Sequence, residues 1–488
     1  MFALAESPVQ KDLLWAGTDD GLIHVSRDGG KNWTKVTPKG IPEWSLVSLI
    51  EASPFDAGTA YAAVDTHKLD DLKPYIFKTT DFGKTWAKIT NGIPDGAYTH
   101  AVREDPVRKN LLYAGTETGI YVSFDGGANW QSLQLNLPNT PIHDLIVKND
   151  DLVVATHGRS FWILDDLTPL RAATTQAATG AVLYKPRLTY RLRWPEFFER
   201  RQPVGDNPPS GAMVYYYFPA APKGVVALEF LDASGKVVRR YSNEEKKEAD
   251  TPPEWPDLTP PEEKIPADVG VNRFTWDLRS QGPTPLAGEP GAEFRNRGPM
   301  APPGAYQVRL TAAGMSYTAP LELKADPRTK VSNDDLQKQS ELGRKIVALV
   351  SQIHEAVGTI REVRAQNRGM ARRFGDDTRY VSLVSASKDF DKKSLDVESQ
   401  LLQVNSKSSE SNLNYPVLID ERLHSLLFSV ESADAAPTKQ QYEVFEDMEK
   451  QAQPLLAQYH GLISQDLPAL NEMVNKQSIP ALYVPAGK

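Results

Sequence analysis

The chain contains no cysteine, which excludes a disulfide framework, a thiolate metal site and a cysteine nucleophile. It also lacks any uninterrupted apolar run long enough for a membrane-spanning helix, which needs roughly 18 to 20 residues. Basic excess is missing too. The 55 Lys and Arg residues stand against 63 Asp and Glu, for a net charge of −8, and that sign argues against a nucleic-acid surface, which needs a basic stripe. The opening residues, Met1-Phe2-Ala3-Leu4-Ala5-Glu6, do not carry the basic start and apolar core of a secretory signal. The eight histidines are scattered, none of them four residues from a glutamate in a helical stretch. No glycine-rich phosphate loop lies between a strand and a helix. Neither a metal centre nor a cofactor is expected from these patterns.

What is present is a repeat. Ser26-Arg27-Asp28-Gly29-Gly30-Lys31-Asn32-Trp33 returns as Thr79-Thr80-Asp81-Phe82-Gly83-Lys84-Thr85-Trp86 and as Ser123-Phe124-Asp125-Gly126-Gly127-Ala128-Asn129-Trp130. Each copy reads as a hairpin turn. The aspartate accepts backbone N–H groups, the glycine supplies a positive φ, and the tryptophan packs on a neighbouring strand. Asp28, Asp81 and Asp125 recur at intervals of about 50 residues, the length of one four-stranded propeller blade. Leu14-Trp15-Ala16-Gly17-Thr18 and Leu112-Tyr113-Ala114-Gly115-Thr116 superimpose as strands ahead of two of the turns. Blade-like units fall near 2–40, 44–92, 98–137 and 141–170, the last without the turn motif.

The three motifs resemble Asp boxes, the bacterial neuraminidase repeats. Their setting is similar to the bacterial proteins with a sortilin-like propeller that are often labelled glycosyl hydrolase. Ala155-Thr156-His157-Gly158-Arg159, Asp206-Asn207-Pro208-Pro209 and Ala433-Asp434-Ala435-Ala436-Pro437 carry the same resemblance through the rest of the chain. It implies a C-terminal part of a larger ring, whose remaining blades lie upstream or are supplied by self-association. It also implies a periplasmic or extracellular setting. Asp boxes mark a turn and say little about activity.

The fold expected is therefore multidomain, with propeller blades of Asp-box type, an immunoglobulin- or fibronectin-like β-sandwich and a C-terminal helical bundle. Residues 1–170 form the blades and 171–210 a linker and packing segment. Residues 211–328 form the sandwich with long proline-rich loops, 329–476 the bundle, and 477–488 a tail. Strand-period segments separated by the hairpin turn Asp232-Ala233-Ser234-Gly235 define the sandwich. In the bundle, Leu342, Ile346, Leu349, Ile353, Val357 and Ile360 share one helical face behind the cap-like pair Ser332 and Asp335. Pro454 marks an expected kink. Tyr190-Arg191-Leu192-Arg193-Trp194 reads as an edge strand and packing surface.

Chemistry is harder to place. A glycosidase needs two facing carboxylates, and Asp20, Glu104 and Glu117 are weak candidates at strand ends and turns. The box residues Asp28, Gly30, Trp33, Asp81, Gly83, Trp86, Asp125, Gly127 and Trp130 serve the fold. His100, Arg103, His157, Arg159 and Trp162 form the most distinctive polar and aromatic group, suited to a protein, peptide or glycan ligand. The favoured reading is a non-catalytic binding or scaffolding protein; the alternative is a glycoside hydrolase acting on polysaccharide, with catalytic residues partly outside this chain.

Overall fold

The computed structural model describes residues 1–173, 179–193, 205–244, 264–288, 297–374, 378–408, 410–477 and 479. Part of the expected linker, Trp194, much of the two proline-rich loops and the tail beyond 479 lie outside them. Two compact units emerge, Met1–Arg187 and Leu188–Lys488.

The first unit is a succession of small antiparallel sheets, propeller-like blades, each a meander in chain order. The first holds β1 (Ala3–Glu6), β2 (Leu14–Gly17), β3 (Ile23–Ser26) and β4 (Thr34–Lys35); the second β5 (Leu46–Ala52), β6 (Ala60–Asp65), β7 (Tyr75–Thr79) and β8 (Ala87–Lys88). The third holds β9 (Thr99–Glu104), β10 (Leu112–Thr116), β11 (Gly119–Ser123) and β12 (Gln131–Ser132), and the fourth β13 (Ile142–Lys148), β14 (Asp151–Thr156) and β15 (Phe161–Leu164). A short helix α1 (Thr168–Ala172) and a two-residue strand β16 (Val182–Leu183) follow.

The three turn motifs form nearly the same network. Ser26 Oγ donates to Asp28 Oδ1 at 2.9 Å and accepts Gly30 N–H at 2.9 Å, while Asn32 donates its N–H to Oδ1 and its Nδ2–H to Oδ2. Thr79, Asp81, Gly83 and Thr85 repeat these bonds, as do Ser123, Asp125, Gly127 and Asn129. The glycines have φ of 87°, 80° and 94°, where a Cβ is strained. Trp86 Nε1 donates to Val36 O and Trp130 Nε1 to Ile89 O, both at 2.7 Å, so each of these tryptophans bolts its sheet to the preceding one. Asp28 is held down to about 2, first by the Asn32 N–H and then by the Asn32 and Ser26 side chains.

Sheets pack inner strand to inner strand, β1 beside β5, β5 beside β9 and β9 beside β13. The closest approaches need glycine. A Cβ on Gly17 would stand 2.4 Å from Val47 Cγ1, and one on Gly115 2.8 Å from both Ile142 Cγ2 and Ile142 O. Arg103 on β9 ties three sheets together. It donates to Glu51 Oε2 of the second at 2.8 Å, and to Leu145 O and Asp144 Oδ1 of the fourth at 2.8 and 3.0 Å.

The second unit opens with β17 (Thr189–Arg191), at the edge of a five-stranded mixed sheet. That sheet also contains β19 (Ala227–Asp232), β20 (Val237–Ser242), β22 (Gly304–Ala312) and β23 (Met315–Ala325), with β17 running parallel to β23. In another sheet, β18 (Ala212–Phe218) and β21 (Gly270–Trp276) run antiparallel. Its Trp276 ring stacks on Phe230 of the larger sheet with centroids 4.3 Å apart. The hairpin turn is present, with Asp232 O accepting from Gly235 N at 2.9 Å.

Helices α2 (Asn333–Phe374), α3 (Val381–Leu401), α4 (Ile419–Val430), α5 (Lys439–Gly461) and α6 (Leu467–Lys476) complete the unit. The six apolar residues expected on one face of α2 are all buried in one core with Leu401, Leu423 and Ala452. Ser332 caps α2 by accepting Asp335 N–H and donating to the Asp335 carboxylate. Helix α5 continues through Pro454, and the departure from α geometry falls later, at the π turn Leu462–Asp466. Pro468 explains it: its ring has no N–H for Ser464 O and crowds that carbonyl, which opens the preceding turn.

The arginine run is structural. Arg191, 1% exposed, donates to Asp434 and to Gln339 Oε1, and Arg193 donates to the same Asp434 carboxylate at 2.6 Å. Asp434, from the Ala-Asp-Ala-Ala-Pro segment between α4 and α5, thus anchors the edge strand to the helices.

Candidate functional site

The inner strands carry a repeated irregularity. Register along β5–β6 passes from Val47 opposite Val64 to Leu49 opposite Ala63, along β9–β10 from Thr99 opposite Thr116 to Ala101 opposite Gly115, and along β13–β14 from Ile142 opposite Thr156 to Asp144 opposite Ala155. One residue is skipped each time: Ser48, His100 and His143. Such a bulge re-aims a side chain out of the ladder, and here it does so at the same end of three successive sheets. Ser48 Oγ donates to His100 O at 2.7 Å, linking two of the bulges.

A row of rings results. His67 stacks on Tyr98 with centroids 5.0 Å apart, Tyr98 meets His100 edge-on at 5.1 Å, His100 stacks on His143 at 4.6 Å, and His143 meets His157 edge-on at 4.7 Å. Four of the eight histidines lie in it. Two carboxylates hold the row from beneath. Asp65, buried, accepts His67 N–H at 2.9 Å, lies 2.7 Å from His67 Nδ1 and has its other oxygen 3.7 Å from His100 Nδ1. Glu117, in the β10–β11 turn, sits 3.0 Å from His100 Nε2. His100 is buried, while His143 and His157 are exposed.

Electrostatics follow from this crowding. The imidazole of His143 is held below the usual histidine range, first by burial and then by the neighbouring His100 and His157. Burial and then the Glu117 carboxylate push the Tyr98 phenol up to about 12. Near neutral pH the Tyr98 hydroxyl therefore keeps its proton and His143 is uncharged, so these two rings present uncharged faces near the Glu117 carboxylate.

Of the residues singled out from sequence, His100, His157 and Glu117 come together here. Arg103 does not, because its guanidinium is committed to the clamp between sheets. Arg159 lies in the exposed turn beside His157, and the half-buried Trp162 on β15 donates its Nε1–H to Arg159 O at 2.9 Å. Glu104 is buried, with one oxygen taking the Ser53 hydroxyl and the other the Asn110 N–H. Asp20 accepts the Thr18 hydroxyl within its own exposed turn. Asp65, His67, Tyr98 and His143 were missed from the sequence: nothing in it shows that His143 is the skipped residue of its strand, and Asp65, His67 and Tyr98 lie at a strand end, in a short turn and just ahead of a strand, without any motif.

With its propeller-like sheets and three Asp-box turns, the chain has a distant, partial similarity to Asp-box propeller proteins. No family model matches the chain. Among curated proteins, the chain is 25% identical over 293 residues to the xyloglucanase Xgh74A of Acetivibrio thermocellus, covering 55% of this chain and 32% of that protein. It is 28% identical over 143 residues to a xyloglucanase of Paenibacillus, covering 27% and 14%. It is 35% identical over 100 residues to vacuolar protein sorting/targeting protein 10 of Laccaria bicolor, covering 20% and 6%. The chain thus spans a third or less of these relatives. Among solved structures, YCF48 bound to a D1 peptide matches over 34% of this chain and 51% of that one, at 18% identity and a TM-score of 0.27. The GH74 xyloglucanase of Xanthomonas campestris matches over 70% and 47%, at 13% identity and a TM-score of 0.28.

Proposed function

We propose that the ring-lined end of the blades is a recognition surface for a peptide or glycan segment, and that the chain is a binding or scaffolding protein. One observation carries this reading: bulges at matching positions in neighbouring inner strands turn His100 and His143 out of the ladder into one continuous row. Rings in a row offer stacking area, and the partly exposed Glu117 adds an acceptor for ligand N–H or O–H groups, while buried Asp65 fixes His67 and His100 in place. The commitment of Glu104 to the sheet interface and of Asp20 to its own turn supports a non-catalytic role. In the second unit we read 211–328 as a sandwich of immunoglobulin or fibronectin type and 329–476 as a bundle, both acting as stalk or docking modules.

The test is a panel of peptides and plant and bacterial polysaccharides offered to the full chain and to the exposed-site double variant His143→Ala/His157→Ala. Binding by the wild type that falls tenfold or more in the variant, with unchanged circular dichroism, supports the reading. Equal binding by both, or none to any class, overturns it. The second reading, a glycoside hydrolase, is favoured by the xyloglucanase relatives and by the Glu117–His100 pair, a carboxylate beside a proton carrier. Release of reducing sugar from xyloglucan that is abolished by Glu117→Gln would replace the first reading with the second.

A further inference from the structure

The second unit contains a grouping that neither the sequence nor the blades account for. Helix α4 presents Asp420 and His424 one turn apart on the same face, and helix α2 presents His354 opposite them. Their ligating atoms all lie within 4.8 Å of one another. All three side chains are largely withdrawn from solvent, with relative exposures of 4%, 2% and 9% for His354, Asp420 and His424. Around them is the apolar core of the bundle, where a buried carboxylate needs a cationic partner, a proton or a metal ion.

Hydrogen-bond polarity points to what occupies the centre. His354 Nδ1 lies 2.6 Å from Thr284 O, and a backbone carbonyl can only accept, so Nδ1 carries the proton. Nε2, 2.9 Å from Asp420 Oδ1, then either carries a second proton, giving an imidazolium–carboxylate pair, or turns its lone pair, together with the carboxylate oxygen, toward a centre that a cation can fill. Asp420 Oδ2 in turn lies 3.8 Å from His424 Nε2. An N–H to a backbone carbonyl behind a lone pair aimed at a shared centre is the arrangement by which proteins orient a metal-binding histidine. Two imidazoles and a carboxylate are a donor set suited to a divalent transition ion of the zinc type, with a fourth position left for water.

We propose that His354, Asp420 and His424 bind one such ion. Bonds of about 2.0 to 2.2 Å in a tetrahedral site set ligand atoms roughly 3.3 Å apart, so on loading the 2.9 Å His354–Asp420 contact opens slightly and the 3.8 Å Asp420–His424 approach closes by about 0.5 Å. The ion would join α2 to α4 through the core and stabilise the bundle rather than act on the blades. This departs from the sequence-based expectation of no metal centre, because His354 is far from its partners in the chain.

The full chain, stripped with a chelator and dialysed, is titrated with Zn²⁺ against a chromophoric competitor and, in parallel, with Co²⁺ while its visible absorption is followed. Histidines of the blade row are a second source of metal binding, so His424→Ala and His143→Ala are compared with the wild type. One equivalent lost in His424→Ala but kept in His143→Ala, with a structured Co²⁺ band and a metal-dependent rise in melting temperature, is the expected result. Asp420→Asn keeps the shape of the side chain and should weaken binding tenfold or more even if its own stability is lowered. Absence of saturable binding would mean an ordinary buried histidine–aspartate contact and overturn the proposal. So would binding that survives His424→Ala and disappears in His143→Ala.

Discussion

At the scale of residues, the box aspartates and the histidine row respond to acid in ways that can be separated. Asp28, Asp81 and Asp125 all titrate below the ordinary carboxyl range. For Asp28 and Asp81 the cause is hydrogen bonds from the turn; for Asp125 burial pulls upward, and the Asn129 and Ser123 bonds outweigh it. A carboxyl depressed in the folded state contributes stability that is complete above its unfolded pKa and is lost as the pH falls through its folded value. The triple variant Asp28→Asn/Asp81→Asn/Asp125→Asn should therefore melt lower than the wild type at pH 7, and the gap should narrow between about pH 4 and pH 2. A constant gap across that range in thermal scans would show that charge is not what the turns use. His143 follows the same sign at higher pH, since its folded pKa lies below the unfolded value near 6.5. Its contribution is intact above that value and declines on acidification. Titration of the imidazole proton resonances should find His143 below the free-histidine value and moving upward in His157→Ala, where a neighbouring imidazole that lowers it is removed.

At the scale of elements, much of the blade architecture was legible because it repeats. The spacing of the aspartates gave the sheet length, and the paired Ala-Gly-Thr segments gave two second strands. Burial sharpens this picture. β6 and β10 are buried along their whole length, and β9 nearly so, whereas β1 and β13 alternate. A strand covered on both faces reads as a continuous apolar run and a half-covered one as alternation. The bulges could not be read, because a skipped residue leaves composition and period almost unchanged, and so His143 stayed hidden. Pro468 was overlooked in favour of Pro454 for a similar reason: a helix tolerates or yields at a proline according to its surroundings, which spacing does not record. Glycine positions were easier, and Gly115 provides a sharp check on the packing of β10 against the next sheet. Gly115→Ala places a methyl against Ile142 O at 2.8 Å, an atom of the backbone that cannot rotate away. The expected cost is about 1 to 3 kcal/mol in urea unfolding of the blades; a loss below 0.5 kcal/mol, roughly what neutral surface changes produce, would mean the sheets are less tightly seated than the geometry implies.

At the scale of the whole molecule, the first unit leaves apolar surface at both ends of its row of sheets. On the first sheet Phe2 and Leu4 are 60% and 59% exposed and Trp33 is 40% exposed, although Trp86 and Trp130 in the same motif are fixed to a preceding sheet. On the fourth, Ile146, Phe161 and Ile163 are all more than half exposed. Large apolar side chains exposed together on one sheet commonly meet another surface. The two patches lie on different sheets, so a contact between them across two copies is head-to-tail and either closes a ring or propagates. The 488-residue chain is therefore expected to self-associate as its concentration rises. Sedimentation velocity over a hundredfold range should show the weight-average coefficient climbing, and Leu4→Lys and Phe161→Lys should each reduce the climb, since either charge spoils one side of the same contact. A second Lys added to the first should bring little further loss, because a head-to-tail contact is already broken when one side is charged. Two additive losses would point instead to separate like-with-like contacts at each end, and a constant coefficient at all concentrations would show that these faces do not bring copies of the chain together.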